Sequence, residues 1–288
     1  MFRRQTTGSV VCRSCGLLVG VNDSECYECG CKNPGLWGFA PLVRILGDDF
    51  GFLRLVTVGC IFLYVATLVV GSAEPRGGGM FSLLSPSQQG LFLFGASGAV
   101  PVFRYDRWWT LLSAGWLHGG LLHIGFNLMW VRQLAPATAE IYGAGRMILI
   151  YTVATAAGFG LSTLTGMFLP FLPGPLRGAM FSVGSSAAIF GLLGALVYSG
   201  RRGIGSHISR QARGYAIVLG IFGFIFPRID NWAHAGGFLG GYLLARWLDP
   251  MRPERLNHLA AAAVCIVLTI LSIVVSVIHG YPFLQPVR

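Results

Sequence analysis

Residues Ser182–Val197 read SVGSSAAIFGLLGALV. Gly184 precedes a hydroxyl pair, Ser185-Ser186, and a run of small and apolar residues then continues to Arg201-Arg202. The run predicts a helix too short to cross a membrane from the serine onward. The 14 residues from Ser186 to Ser199 rise roughly 21 Å at 1.5 Å each, against a hydrocarbon core of about 30 Å. With the arginines at one face, Ser186 is expected about 9 Å beneath the other. A polar group at that depth is costly, which makes Ser186 a functional candidate.

Composition agrees with a membrane setting. The 288 residues are 54% hydrophobic and 11% charged, where a soluble domain carries about 25% charged residues. Several apolar runs approach or exceed 18 residues without strand-like alternation, so an all-α polytopic membrane protein is expected rather than a barrel. The net charge of +10 argues only weakly for nucleic acid: the 20 arginines and single lysine, Lys32, are spread along the chain. No nucleic-acid partner is expected. Residues 1–50 lack a signal-peptide pattern, so the first apolar segment is expected to act as an uncleaved anchor.

The chain divides into four parts. Residues 1–35 carry Cys12, Cys15, Cys26, Cys29 and Cys31. Two Cys-x2-Cys knuckles ten residues apart can present four thiolates to Zn2+, and Gly16 and Gly30 suit the turns after them. One structural zinc on Cys12, Cys15, Cys26 and Cys29 is expected, in a zinc-ribbon-like module. Disulfides are the rival reading, and Cys31 is left as a free thiol or an alternative ligand. A soluble partner for this module is left open. Residues 36–51 form a linker in which Leu36, Trp37, Phe39, Leu42 and Ile45 suit a membrane interface. Residues 52–248 form the core, with spans expected near 52–71, 116–135, 147–169, 214–226 and 232–248 besides the serine helix. The stretch 91–103 is too short to span and suits a partly inserted loop after the run Gly77-Gly78-Gly79. Residues 249–288 add a linker and one more span, near 259–278.

Seven spans put the termini on opposite sides. With the N-terminus cytoplasmic, inner loops carry Arg132, Arg146, Arg201, Arg202, Arg210, Arg213, Arg246, Arg252 and Arg255. Outer segments carry Arg76, Arg104, Arg107, Arg177, Arg228 and Arg288. Nine against six favours this orientation, with Ser186 near the outer face.

Two further motifs supply polar groups at comparable depth. In HGGLLHIGFN, His123 and Asn127 share a helix face, and His118 lies about 140° from His123 at 100° per residue. The pair suits either a site or a polar helix–helix contact. In NWAHAGGFLGG, His234 is about 18 Å from Arg246, hence about 12 Å below the outer face. Ala233, Gly237 and Gly241 form one small-residue ridge, and Gly236 with Gly240 another. Ala187, Gly191 and Ala195 form a matching ridge on the serine helix. Close approach there would let His234 activate Ser186, since a serine needs a base to attack a carbonyl near neutral pH. His123, the Asn127 amide and the Ser186 N–H would be oxyanion donors. Asp230 is read as an outer-loop residue, leaving a dyad rather than a triad.

On RWWTLLSAGWLHGGLLHIGFN, GSSAAIFGLLG and AHAGGFLGG, in that order, the chain resembles the rhomboid intramembrane serine proteases over residues 52–248. The resemblance implies a six-helix bundle with a membrane-embedded loop after the first helix, here with one added C-terminal helix (six plus one). It implies Ser186 as nucleophile, His234 as general base, His123 and Asn127 at the oxyanion site, and His118 as a structural histidine. Phe190 takes the aromatic position that packs on the catalytic histidine, with Gly237 structural beside the site. Catalysis would need no cofactor, and the partners would be the lipid bilayer and transmembrane protein substrates. Two departures stand out: Trp109 is followed by Thr110 rather than arginine, and Ala187 replaces the glycine common after the nucleophile. The alternative is a catalytically silent rhomboid-like binding or quality-control protein. Such relatives usually lack the serine or the histidine, and both are present here.

Overall fold

The computed structural model describes residues 4–12, 15–39, 47, 49–70, 83–226, 229–252 and 254–284. The run 77–79, Leu42, Ile45, Arg76, Arg228 and Arg288 lie outside them.

A small head precedes a helical body. Strands β1 (Ser9–Val11) and β2 (Leu18–Gly20) pair antiparallel, with Val10 opposite Val19. The turn between and after them carries the cysteines, and Val10, Val19 and Val21 pack with Cys12, Cys26 and Cys31 into a separate small core. So few apolar residues make a weak core, to which a metal held by the cysteines would add folding energy.

The body contains α1 (Phe52–Val70), α2 (Gln88–Phe94), α3 (Thr110–Ser113), α4 (Leu121–Tyr142), α5 (Ala144–Phe168), α6 (Ser186–Arg201), α7 (Ser206–Ile225), α8 (Asn231–Leu248) and α9 (Leu256–Gly280). By length and composition α1, α5 and α9 can cross a membrane, and α6 is a shorter apolar helix. At 16 residues it rises about 24 Å, short of a bilayer core of about 30 Å. The stretches expected near 52–71, 147–169, 232–248 and 259–278 coincide in bounds with helices α1, α5, α8 and α9 to within three residues at each end. Two starts differ. Helix α4 begins at Leu121 rather than near 116, because Gly119 and Gly120 interrupt the backbone and leave His118 in the preceding loop, and it runs to Tyr142 rather than 135, where Gly143 ends it. Helix α7 begins at Ser206 rather than 214, so Arg210 and Arg213 lie on its first turns instead of in a loop. Their spacing from the apolar run 216–225 fits a helix that emerges from lipid.

The centre of the body is α6. Its residues Ala187 to Val197 are buried almost without interruption, and α5, α7 and α8 surround it, with α4 touching one side. Glycines set these distances. A methyl on Gly237 would collide with the Ala187 carbonyl oxygen, and one on Gly241 with that of Gly191. The other row of α8 faces a different neighbour: a methyl on Gly236 would lie 2.7 Å from the Ala157 oxygen, and one on Gly240 2.7 Å from the Ala157 methyl, both on α5. The two small-residue ridges of α8 therefore serve two helices.

Residues 91–104 do not span. The Ser87 hydroxyl accepts from the Gly90 N–H and starts α2, and Gly95, at φ +106°, ends it. The chain then runs extended through Ser97 and forms a wide turn over Val100–Arg104. Buried Arg107 fastens this insertion. Its Nη1 donates to the Phe92 carbonyl (2.6 Å) and its Nη2 to the Ser276 carbonyl of α9 (2.8 Å), while the guanidinium covers the Phe92 ring. Trp109 Nε1 donates to Ser276 Oγ at 3.0 Å. Thr110, at the position where the resemblance suggests arginine, is buried and donates to the Arg107 carbonyl.

Candidate active site

Ser186 is the first residue of α6, so its N–H has no acceptor within the helix. Ser185, the residue before it, is fully buried, and its hydroxyl lies 3.4 Å from His118 Nε2. Ser186 is partly accessible. The adjacent hydroxyls are thus divided, one locked into the packing and one facing open space.

Phe190, one turn along α6 from Ser186, stacks on the His234 ring at 4.2 Å with the planes 15° apart. His234 lies on α8 three residues before Gly237, whose missing side chain lets α8 rest on the Ala187 carbonyl. Ser186 and His234 are therefore next to a close backbone contact, one residue before Ala187 and three before Gly237. Buried His234 Nδ1 has no hydrogen-bond partner among the described residues, so no carboxylate orients the ring.

His123 joins them from α4. Its Nδ1 accepts the Gly119 N–H at 3.2 Å, which leaves the proton on Nε2. A methyl on Gly184 would lie 2.7 Å from His123 Nε2 and 3.8 Å from Ser186 Oγ. Both atoms thus border the space that Gly184 keeps clear, at φ +134°. His118 packs edge-on against His123, with ring centroids 5.2 Å apart. Asn127 is less committed to this space: its amide donates back to the His123 carbonyl at 2.8 Å. The amide has a second N–H to offer.

The loop before Ser186 has no helix to satisfy its backbone, and lipid cannot do so. It pairs with the inserted segment. Ser182 N–H donates to the Ser97 carbonyl (2.7 Å) and Ser97 N–H to that of Ser182 (3.1 Å), while Ala99 and Val100 donate to the Ala179 and Met180 carbonyls. Gly184 N–H donates to the Ala114 carbonyl at 2.9 Å. Asp230 completes the clamp. At the start of α8 its Oδ1 accepts the Ala233 N–H at 3.0 Å, and its Oδ2 accepts the Ser162 and Ser182 hydroxyls, each at 2.7 Å. One carboxylate thus ties the His234 helix to the Ser186 loop and to α5. Asp230, expected as an outer-loop residue, instead caps α8 with both carboxylate oxygens hydrogen-bonded. The residue's place before Asn-Trp-Ala at a helix start was the available signal.

In the head, the Sγ atoms of Cys12, Cys15, Cys26 and Cys29 all lie within 4.8 Å of one another. The Cys12–Cys29 and Cys15–Cys26 separations are both 3.7 Å. Tetrahedral zinc with bonds of about 2.3 Å separates its sulfurs by about 3.8 Å, so the four fit zinc. They are too far apart for disulfides, which need about 2.05 Å. N–H groups of Cys29 and Glu28 lower the Cys26 thiol to about 7. The Leu17 N–H pulls Cys15 down, but desolvation and hydrogen bonds among the thiols outweigh it and push that thiol up to about 12. Cys31 stands apart, its thiol directed at the Lys32 carbonyl.

Comparison with known families matches the Rhomboid domain over residues 105–251, about half of the chain. The chain belongs to the rhomboid family. Among curated rhomboids it is 30% identical over 211 residues to RHOMBOID-like protein 4 of Arabidopsis thaliana, covering 65% of this chain and 50% of that protein. It is 34% identical over 193 residues to the Rhomboid protease GluP of Bacillus subtilis (strain 168), covering 64% of this chain and 33% of that protein. RHOMBOID-like protein 7 of Arabidopsis thaliana is 34% identical over 169 residues, 56% of this chain and 50% of its own. The chain thus spans half or less of the length of these three rhomboids. Family and apolar helices together make this rhomboid an integral membrane protein. Its Rhomboid domain includes Ser186, His234, His123, Asn127 and Asp230, and leaves the cysteine head and α9 outside.

Proposed function

We propose that this rhomboid is an intramembrane serine endopeptidase that cleaves transmembrane protein substrates. The observation that carries the reading is the joint placement of Ser186 and His234 across the Ala187–Gly237 backbone contact, with Phe190 holding the His234 ring. In this mechanism His234 Nε2 removes the Ser186 proton as Oγ attacks the scissile carbonyl carbon. The negative charge moves to the carbonyl oxygen, where His123 Nε2–H and the Ser186 N–H donate to it, joined by the Asn127 amide. The imidazolium then gives its proton to the leaving amine, the peptide C–N bond breaks, and an acyl-enzyme remains. Water, activated by the same imidazole, hydrolyses it and restores the serine.

A helical substrate hides its carbonyls in its own hydrogen bonds, so it must unwind near the cut. Small residues at the cut suit the narrow space beside Gly184. The body is read as six spans plus α9, over residues 52–248 and 249–288, behind a zinc-ribbon-like head (1–35) and linker (36–51). The N-terminus would be cytoplasmic and the site would open toward the outer face, on the arginine bias. Catalysis uses no cofactor, and a structural zinc would be held by the four cysteines.

The test is covalent labelling of detergent-solubilised protein with a fluorophosphonate probe. Wild type is expected to label, and Ser186→Ala and His234→Ala are expected not to. Labelling that persists in Ser186→Ala would remove the nucleophile assignment. A folded wild-type chain that neither labels nor cleaves a transmembrane substrate would make it a silent relative.

A further inference from the structure

At the end of the bundle opposite Ser186, where α8 finishes and α9 begins, lies a cavity of about 330 Å³. At about 30 Å³ per water it holds roughly ten. Its walls carry Arg146, Arg246, Arg252 and Arg255 with Trp247 and Asp249. Outside the wall, Arg202, just past α6, pairs with Asp249 at 3.7 Å. Two carboxylates answer them. Asp249 lies 3.4 Å from Arg252, and Glu254 accepts the Arg146 backbone N–H at 2.8 Å. Positive charge remains in excess.

Arg146 shows what this excess requires. It is 3% exposed, and its Nη1 donates to the Leu248 and Asp249 carbonyls at 2.8 and 3.0 Å, closing the end of α8. Its Nε is buried with no hydrogen-bond partner among the described residues. A buried guanidinium N–H without an acceptor is costly. Around it stand further guanidiniums, whose forked donors match the oxygens of a phosphate. Trp247, 86% exposed at the cavity rim, has the place and chemistry of an interfacial anchor.

We propose that this cavity is a binding site for a phosphate-bearing anion, with the headgroup of an anionic phospholipid as the source that its position favours. Basic pockets between helix ends at a membrane surface take such headgroups. Arg246, Arg252 and Arg255 enclose the phosphate, and the guanidinium of Arg146 adds its charge from the wall behind them. The site stands apart from Ser186, so the proposal is independent of the proteolytic reading, and Ser186→Ala is expected to bind unchanged.

The test uses the full chain in uncharged detergent, titrated with phosphatidylglycerol, phosphatidylcholine or inorganic phosphate. Binding is followed by native mass spectrometry and thermal unfolding. One retained phosphatidylglycerol and a raised unfolding temperature are expected, without either effect from phosphatidylcholine. The exposed pair Arg252→Gln/Arg255→Gln is expected to weaken this binding at least tenfold. Arg210→Gln/Arg213→Gln, the same charge change on α7, is expected to leave it intact. Inorganic phosphate bound with the same dependence on the two pairs would keep the site and make a soluble phosphate its source. No anion bound, or equal loss in both double variants, would overturn the proposal.

Discussion

At the scale of single residues, the adjacent serines separate by burial. Ser185→Ala is expected to retain fluorophosphonate labelling at Ser186 while leaving the buried His118 imidazole without its Ser185 partner. The cost is about 1–3 kcal/mol, read as a lower unfolding temperature. Gly184→Ala should do the reverse. Its methyl would press on His123 Nε2 from a backbone conformation that alanine resists, and at least a tenfold slower labelling rate is expected with modest loss of stability. The motifs singled out Ser186, His234, His123 and Phe190, and their spacing to nearby glycines anticipated that Phe190 would meet His234 and that His123 and Ser186 would border the Gly184 space. Two arginines were not so legible. Arg107 and Arg146, expected in an outer and an inner loop, are both buried and donate to carbonyls on or at the ends of helices. Charge counting sees sign and position, and a free carbonyl left by a helix end or loop has no sequence signature.

Among elements, the contact of α6 with α8 is the tightest constraint. Gly237→Ala would drive a methyl into the Ala187 carbonyl oxygen. Overpacking of this kind costs about 1–3 kcal/mol, and the helices would part beside the proposed Ser186–His234 pair. Loss of labelling is therefore expected alongside a lower unfolding temperature. Gly220→Ala on α7, where a methyl meets nothing within 4 Å, is the matched control. Apolar length and small-residue spacing told where α1, α5, α8 and α9 lie, because lipid imposes both. The starts of α4 and α7 were less legible. A glycine pair can end a helix or sit inside one, and arginines on a first helical turn look the same in sequence as arginines in a loop. The pairing of residues 97–100 with 179–182 joins segments some 80 residues apart with no alternation in either, so nothing local announced it.

Across the whole molecule, head and body are separate cores. A cavity lined by Gly30, Cys31 and Lys32 on one side and Glu254 to Asn257 on the other lies between them. Metal analysis after reducing purification is expected to give about one zinc per chain. Chelation should expose residues 9–32 to proteolysis while the helical bundle keeps its unfolding temperature. A chelated protein whose bundle melts with its head would mean one cooperative unit. The body has its own long-range tie, from Arg107 and Trp109 to Ser276, 169 and 167 residues further on. That tie has a consequence for biogenesis. Chains emerge N-terminus first, so Ser186 and His234 are both made before the residue that clasps the inserted loop beside them. A nascent chain would carry its reactive pair while the loop is still unfastened, and only completion of α9 would close it. A chain truncated after Arg255 reproduces that stage, and it is expected to label with fluorophosphonate at a lower rate than full-length protein. Proteolytic competence, on the proposed reading, would then wait on the synthesis of α9, so that a chain lacking α9 does not cut its neighbours at the insertion site.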